Sequence, residues 1–151
     1  WKCPSSGGEG ARELIQLAKE MKRIPELSVD QILPVPPHPQ NQRKRDFYPT
    51  YDLAKSLSRE MPLHPQVRDL LHFTKSGLKS QKSRGTKDRK RALSLRVNHP
   101  DWIRDKDILL VDDVRTTGST SLGCARALIK AGVRSVSLWT LARTNLHHEG
   151  F

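Results

Sequence analysis

Cysteine is scarce: two in 151 residues, Cys3 and Cys124, far apart and in no metal-ligand pattern, so thiols in a reducing, cytoplasmic setting are expected. Long apolar runs are missing as well, which excludes a membrane-spanning helix. Neither Gly-x-x-x-x-Gly-Lys-Ser/Thr nor Gly-x-Gly-x-x-Gly occurs, so a P-loop and a dinucleotide fingerprint are excluded too. Six histidines are scattered; His147 and His148 are adjacent, not spaced as a helical metal pair, and read as surface residues. No internal repeat is visible and no Ser-His-Asp or Cys-His arrangement stands out. A single domain over 1–151 is expected, long enough to bury a core. The chain opens on Trp1 and not Met, which suggests a fragment or processed product, with no metal site expected at Cys3.

What is present is concentrated in Asp107 to Thr120, DILLVDDVRTTGST. Ile108, Leu109, Leu110 and Val111 form an uninterrupted apolar run bounded by polar residues, the pattern of a strand buried on both faces of a parallel sheet. Leu122, Ala125, Leu128 and Ile129 follow at helical spacing, and Ala131-Gly132 supplies a stop. Val133, Val136, Leu138 and Leu141 mark the next strand, completing a βαβ unit. Ligands of such units bind beyond the carboxyl ends of the strands, where amides at the helix start favour an anion.

Thr116, Thr117, Ser119 and Thr120 add hydroxyl donors there, and Gly118 allows a phosphate to approach the backbone closely. Asp112 and Asp113 would repel that phosphate unless ribose hydroxyls or a divalent cation intervened. A ribose 5-phosphate satisfies both halves. An ordinary helix cap needs only one such residue, so two acids, four hydroxyls and a glycine favour a ligand site.

Elsewhere the pattern is coarser. Residues 1–10 read as irregular, and Ala11, Leu14, Ile15 and Ala18 form the stripe of a first helix ending near Arg23 or Ile24. Val29 to Val35 reads as a strand, and Tyr51 to Met61 as a helix with Leu53, Ala54 and Leu57 inward. Val67 to Phe73 is a short strand or helix that pattern alone does not decide; Leu93 to Val97 is a weak strand, and 145–151 a tail. Trp102, Trp139, Phe47, Tyr48 and Tyr51 suit core, rim or base stacking, with Phe47 and Tyr48 beside Arg45 suggesting a substrate or nucleic-acid contact.

The net charge of +11 is unevenly placed. Lys75, Lys79, Lys82, Arg84, Lys87, Arg89, Lys90, Arg91 and Arg96 are opposed within their stretch only by Asp88, and 75–92 is expected to be a flexible basic loop. It suits a pyrophosphate leaving group, and equally a solvated loop or nonspecific phosphate contacts with nucleic acid.

The fourteen-residue stretch resembles the phosphoribosyl-pyrophosphate (PRPP) motif of type I phosphoribosyltransferases, where hydrophobic residues, two acids and a Thr-Gly-rich loop occur in this order. Ile32 to Pro39, Leu53-Ala54, Gln81 and Thr140 to Thr144 extend the resemblance to the competence-associated ComF branch. Arg45-Asp46-Phe47-Tyr48-Pro49 departs from that branch's Arg-Gly-Phe-Asn-Gln. Ala92 stands where an Asn is common, and Arg115 where an apolar residue is.

The resemblance implies an α/β type I phosphoribosyltransferase fold, a mostly parallel central sheet flanked by helices, with a minimal hood. It implies Mg²⁺-dependent transfer of ribose 5-phosphate from PRPP to a nitrogen acceptor that the sequence does not identify. Asp112 and Asp113 would hold the ribose hydroxyls, stabilise positive charge on the sugar and offer ligands to Mg²⁺. Arg115, Thr116, Thr117, Gly118, Ser119 and Thr120 would form the 5-phosphate loop. Val35, Pro36, Pro37, His38 and Arg45 would take the pyrophosphate, with the Val35 and His38 amides held in fixed directions. Lys79, Lys82, Arg84, Lys87 and Arg89 would close over it. The alternatives are a non-catalytic protein of this fold acting in DNA uptake through single-stranded DNA, and a PRPP-sensing regulator.

Overall fold

A computed structural model describes residues 7–38, 48–74, 94–115 and 117–143. In chain order the elements are α1 (Gly7–Glu20), β1 (Gln31–Pro34), α2 (Pro49–Glu60), β2 (Gln66–Val67), β3 (Leu71–Phe73), β4 (Leu95–Val97), β5 (Asp107–Arg115), α3 (Ser119–Lys130) and β6 (Ser135–Arg143), with a 3₁₀ turn at Pro100–Trp102 before β5. Four strands make a parallel sheet in the order β2-β1-β5-β6, and β3 pairs antiparallel with β4 in a separate two-stranded sheet.

The strands explain the layers. Side chains alternate between the two faces of a strand, so an unbroken apolar run fills two cores at once. Ile32, Leu109, Val111 and Trp139 pack with Ile15 and Ala18 of α1 and Leu53, Ala54 and Leu57 of α2. Leu33, Ile108 and Leu110 pack with Cys124 and Leu128 of α3, together with Leu70, Leu71 and Ile103. Helices therefore cover both faces, the α/β arrangement expected. Fully burying a leucine or isoleucine contributes roughly 1.5–3 kcal/mol, so the central strands carry much of the stability.

Several expectations shift. α1 begins at Gly7, inside the stretch expected to be irregular, and ends at Glu20, before Arg23; Glu9 in its first turn suits the positive end of the helix dipole. The undecided stretch Val67 to Phe73 is two short strands in two different sheets. β5 continues past its apolar run to Arg115, because β6 keeps pairing with it, Asp112 beside Thr140 and Arg115 beside Arg143.

The helical stripes also need correction. The buried residues of α3 are Ser121, Cys124 and Leu128, whereas Leu122 and Ile129 are exposed. Leu14 of α1 and Leu138 of β6 are exposed too, and Trp139 is the buried residue of β6. Sequence spacing placed these apolar residues on a helical or strand face without fixing which flank meets the sheet. Among the described residues no helix is long and apolar enough to cross a membrane.

Candidate functional site at the ends of two central strands

The β1–β2 connection runs through α2 on one face of the sheet, and the β5–β6 connection through α3 on the other. β1 and β5 are neighbours, so their chains diverge at the carboxyl ends and open a crevice between them. Such a switch in direction is where α/β sheets bind ligands.

Asp112 and Asp113 follow the last residue of β5 that pairs with β1, Val111 opposite Pro34. Asp112 accepts a hydrogen bond from the Asp113 amide at 3.0 Å, and Asp113 accepts one from the Val114 amide at 2.7 Å. Burial, and then the neighbouring Asp113 charge, push the Asp112 carboxyl up to about 6. Hydroxyl donors or a cation would stabilise its ionised form. The described residues contain no group of three or more His, Cys, Asp or Glu side chains able to hold a metal. Two adjacent carboxylates nonetheless fit Mg²⁺, which commonly uses one or two carboxylates together with substrate phosphates.

The turn after β5 carries the hydroxyls. Gly118 is the N-cap of α3 at φ 74°, a position where glycine is favoured, and the Ser119 amide of the first turn donates to Thr117 Oγ at 3.5 Å. Thr117 donates its hydroxyl to Ser119 Oγ at 3.2 Å, and Ser121 donates to the Gly118 carbonyl at 3.2 Å. Ser119 and Thr120 occupy the first turn of α3, where amide hydrogens point outward. A Cβ on Gly118 would lie 2.8 Å from Arg115 Nε, so the Arg115 guanidinium rests against this glycine. Thr116 lies outside the described residues.

The proline-rich turn corrects one expectation. The Val35 amide donates to the Val111 carbonyl at 2.8 Å, so the sheet uses this hydrogen and a ligand cannot. Pro36 and Pro37 have no amide hydrogen to offer. The half-buried His38 meets Phe73 of β3 edge-on, ring centroids 5.7 Å apart. Arg45 lies outside the described residues, as do Phe47, His147, His148 and Cys3.

The basic loop residues Lys79, Lys82, Arg84, Lys87 and Arg89 are outside them too, but both roots of the loop are described. Thr74 donates its amide and its hydroxyl to the Ser94 carbonyl at 2.9 and 3.1 Å. The stretch 75–93 therefore connects two antiparallel strands, one of which ends at the phenylalanine touching His38.

Trp139 and Tyr48 take part in packing and backbone hydrogen bonds. Trp139 is buried and donates its indole N–H to the Arg23 carbonyl. Tyr48 is buried, its ring stacked on Tyr51 with centroids 6.0 Å apart, and donates its hydroxyl to the Val35 carbonyl at 3.1 Å. Thr50 donates to the same carbonyl at 2.9 Å, a role that sequence reading missed. Its signal was Pro49, which commonly opens a helix and so places Tyr48 and Thr50 around the start of α2. Cys124 is a free, buried thiol pushed up to about 12 by burial and then by the Asp112 charge.

No family model matches the chain. Competence protein F of Haemophilus influenzae is 34% identical over 138 residues, 88% of this chain and 59% of that protein, so the chain spans less than two thirds of this relative's length. The allosteric regulatory enzyme of purine biosynthesis superposes with a TM-score of 0.55 at 16% identity, over 90% of this chain and 25% of that one. The glutamine PRPP amidotransferase from B. subtilis, complexed with ADP and GMP, gives 0.55 at 16% identity, over 90% and 26%. A glutamic acid mutant from an analysis of an invariant aspartic acid in HPRTs gives 0.51 at 15% identity, over 91% and 78%. At these identities the likeness is one of fold.

Proposed function

We propose that this chain, a homologue of competence protein F with the type I phosphoribosyltransferase fold, binds PRPP in the crevice between β1 and β5 and transfers its ribose 5-phosphate to a nitrogen acceptor. The observation that carries this reading is the position of Asp112 and Asp113. They stand at the switch point of the sheet, on the strand that leads directly into the hydroxyl-rich start of α3.

In this reading the backbone and hydroxyls of Thr116 to Thr120, with Arg115 beside Gly118, hold the 5-phosphate. Asp112 and Asp113 accept hydrogen bonds from the ribose hydroxyls, which fixes the sugar and favours the ionised form of Asp112. The acceptor nitrogen attacks C1 as the bond from C1 to the pyrophosphate oxygen breaks, and that oxygen keeps the electron pair. Positive charge grows on the sugar, where two carboxylates stabilise it. His38 with Arg45 faces the pyrophosphate end, and Lys79, Lys82, Arg84, Lys87 and Arg89 close over it and exclude water. Mg²⁺, when bound with the phosphates and these carboxylates, supplies charge neutralisation for the departing pyrophosphate.

Pyrophosphate release from PRPP with a panel of nucleobases and simple amines tests transfer. Release that depends on one acceptor supports an enzyme. PRPP binding without release under any acceptor indicates a sensor. The relative's name adds a non-catalytic reading in competence, favoured by a basic stretch rooted beside the crevice. That reading predicts salt-dependent binding of single-stranded DNA, weakened by changing Lys82, Arg84 and Arg89.

A further inference from the structure

We propose that Tyr48 and Thr50 are positioning residues: together they lock the Val35–Pro36 peptide and thereby aim the Pro36-Pro37-His38 turn at the pyrophosphate end of PRPP. The inference rests on the reading of the crevice as a PRPP site. A backbone carbonyl has two lone pairs, and the Val35 carbonyl receives two hydroxyls, Tyr48 at 3.1 Å and Thr50 at 2.9 Å. Its amide is held on the other side by Val111 at 2.8 Å. Val35 thus has both its backbone groups engaged, although it lies beyond the end of β1.

The turn that follows has little freedom of its own. Pro36 and Pro37 fix φ, and planar peptides leave ψ as the soft angle at each. Fixing the Val35–Pro36 peptide plane therefore propagates to His38, whose ring is stopped on the far side by Phe73. The same Phe73 ends β3, next to Thr74 at the root of the basic stretch. One end of the turn is held by the start of α2 and the other by β3.

Helix formation alone does not explain the two hydroxyls. α2 has no side-chain cap hydrogen bond, so neither oxygen serves its N-terminus. Both side chains are buried, Tyr48 at 8% exposure and Thr50 at 7%, where phenylalanine and valine would fill similar volume without desolvating a hydroxyl. Burial, with a smaller contribution from the Asp69 charge, pushes the ionisation of the Tyr48 hydroxyl upward, so it stays a donor throughout the working pH range. Tyr48 also falls in the segment that departs from the ComF pattern, which gives that departure a task.

The test uses the full chain with Tyr48→Phe, Thr50→Val, the double variant and Thr50→Ser. Calorimetry would measure affinity for PRPP and for inorganic pyrophosphate, each with Mg²⁺, and for ribose 5-phosphate. The double variant is expected to bind PRPP and pyrophosphate about tenfold more weakly, the scale set by two modest hydrogen bonds, with ribose 5-phosphate affinity kept within about twofold. Thr50→Ser should retain wild-type affinities, and the single variants report if the double variant does not fold. Unchanged pyrophosphate affinity in Tyr48→Phe and Thr50→Val overturns the positioning role, as does an equal loss for all three ligands. A wild-type protein that binds none of the three overturns the PRPP reading itself, and the clamp's role with it.

Discussion

Val35 donates its amide hydrogen to the carbonyl of Val111 at 2.8 Å, the last described rung between β1 and β5. One residue further on, the two chains part: β1 turns away through Pro36 and Pro37, while β5 continues into Asp112 and Asp113 beside Thr140 of β6. The crevice is the consequence of that divergence, and the acids stand at its edge because β5 is longer than its neighbour.

Asp112 should cost the ligand-free protein stability at neutral pH. Its folded-state ionisation lies near 6, above the ordinary carboxyl value of 3.8. The folded state therefore holds a proton that the unfolded chain releases between these values, and stability from this group is present below about pH 4 and lost as pH rises through about 6. Allowing for partial solvent access, the cost above that range is roughly 1–2 kcal/mol. Asp112→Asn should raise the melting temperature by about 2–6 °C at pH 7.5 and leave it nearly unchanged at pH 4. PRPP affinity of the wild type should fall as pH drops below about 6. Calorimetric melting at the two pH values checks this; an equal gain at both would contradict it.

Gly118→Ala places a side chain at φ 74° and 2.8 Å from Arg115 Nε. The left-handed conformation costs about 1–2 kcal/mol in a non-glycine residue, and the flexible Arg115 side chain must move aside. A modest loss of stability with a clear loss of ribose 5-phosphate affinity is expected from denaturant melts and titration. Retained affinity would remove Arg115 and Gly118 from the phosphate loop.

Neighbouring residues of α3 should behave oppositely. Leu128 is fully buried and Ile129 is 66% exposed. Leu128→Ala should cost roughly 2–5 kcal/mol, and Ile129→Ala should stay within about 0.5 kcal/mol. Chemical denaturation measures both, and similar losses would mean that α3 packs on a different face.

The βαβ unit was legible because Ile108 to Val111 is apolar without interruption, and Leu53, Ala54 and Leu57 were legible because one helical face of α2 is apolar. The flank of α3 that packs was not, since Ser121 and Cys124, the residues that join Leu128 against the sheet, carry weak hydrophobic signals beside Leu122 and Ile129. Val67 to Phe73 could not be divided by pattern, because its two strands join different sheets. The site's types were readable from Asp112 to Thr120, but the engagement of the Val35 amide depends on register with β5, which no local pattern encodes. Tyr48 read equally as core, rim or base-stacking residue, and the distant Val35 carbonyl that its hydroxyl reaches is not visible in local pattern.

Titration of PRPP with Mg²⁺ into the wild-type chain and into the Asp112→Asn, Asp113→Asn double variant decides whether these two carboxylates bind the sugar phosphate. The wild type should bind at one saturable site, and the double variant, still folded by circular dichroism, should not bind. No binding by the wild type at millimolar PRPP, or undiminished binding by the double variant, would contradict the assignment of this crevice.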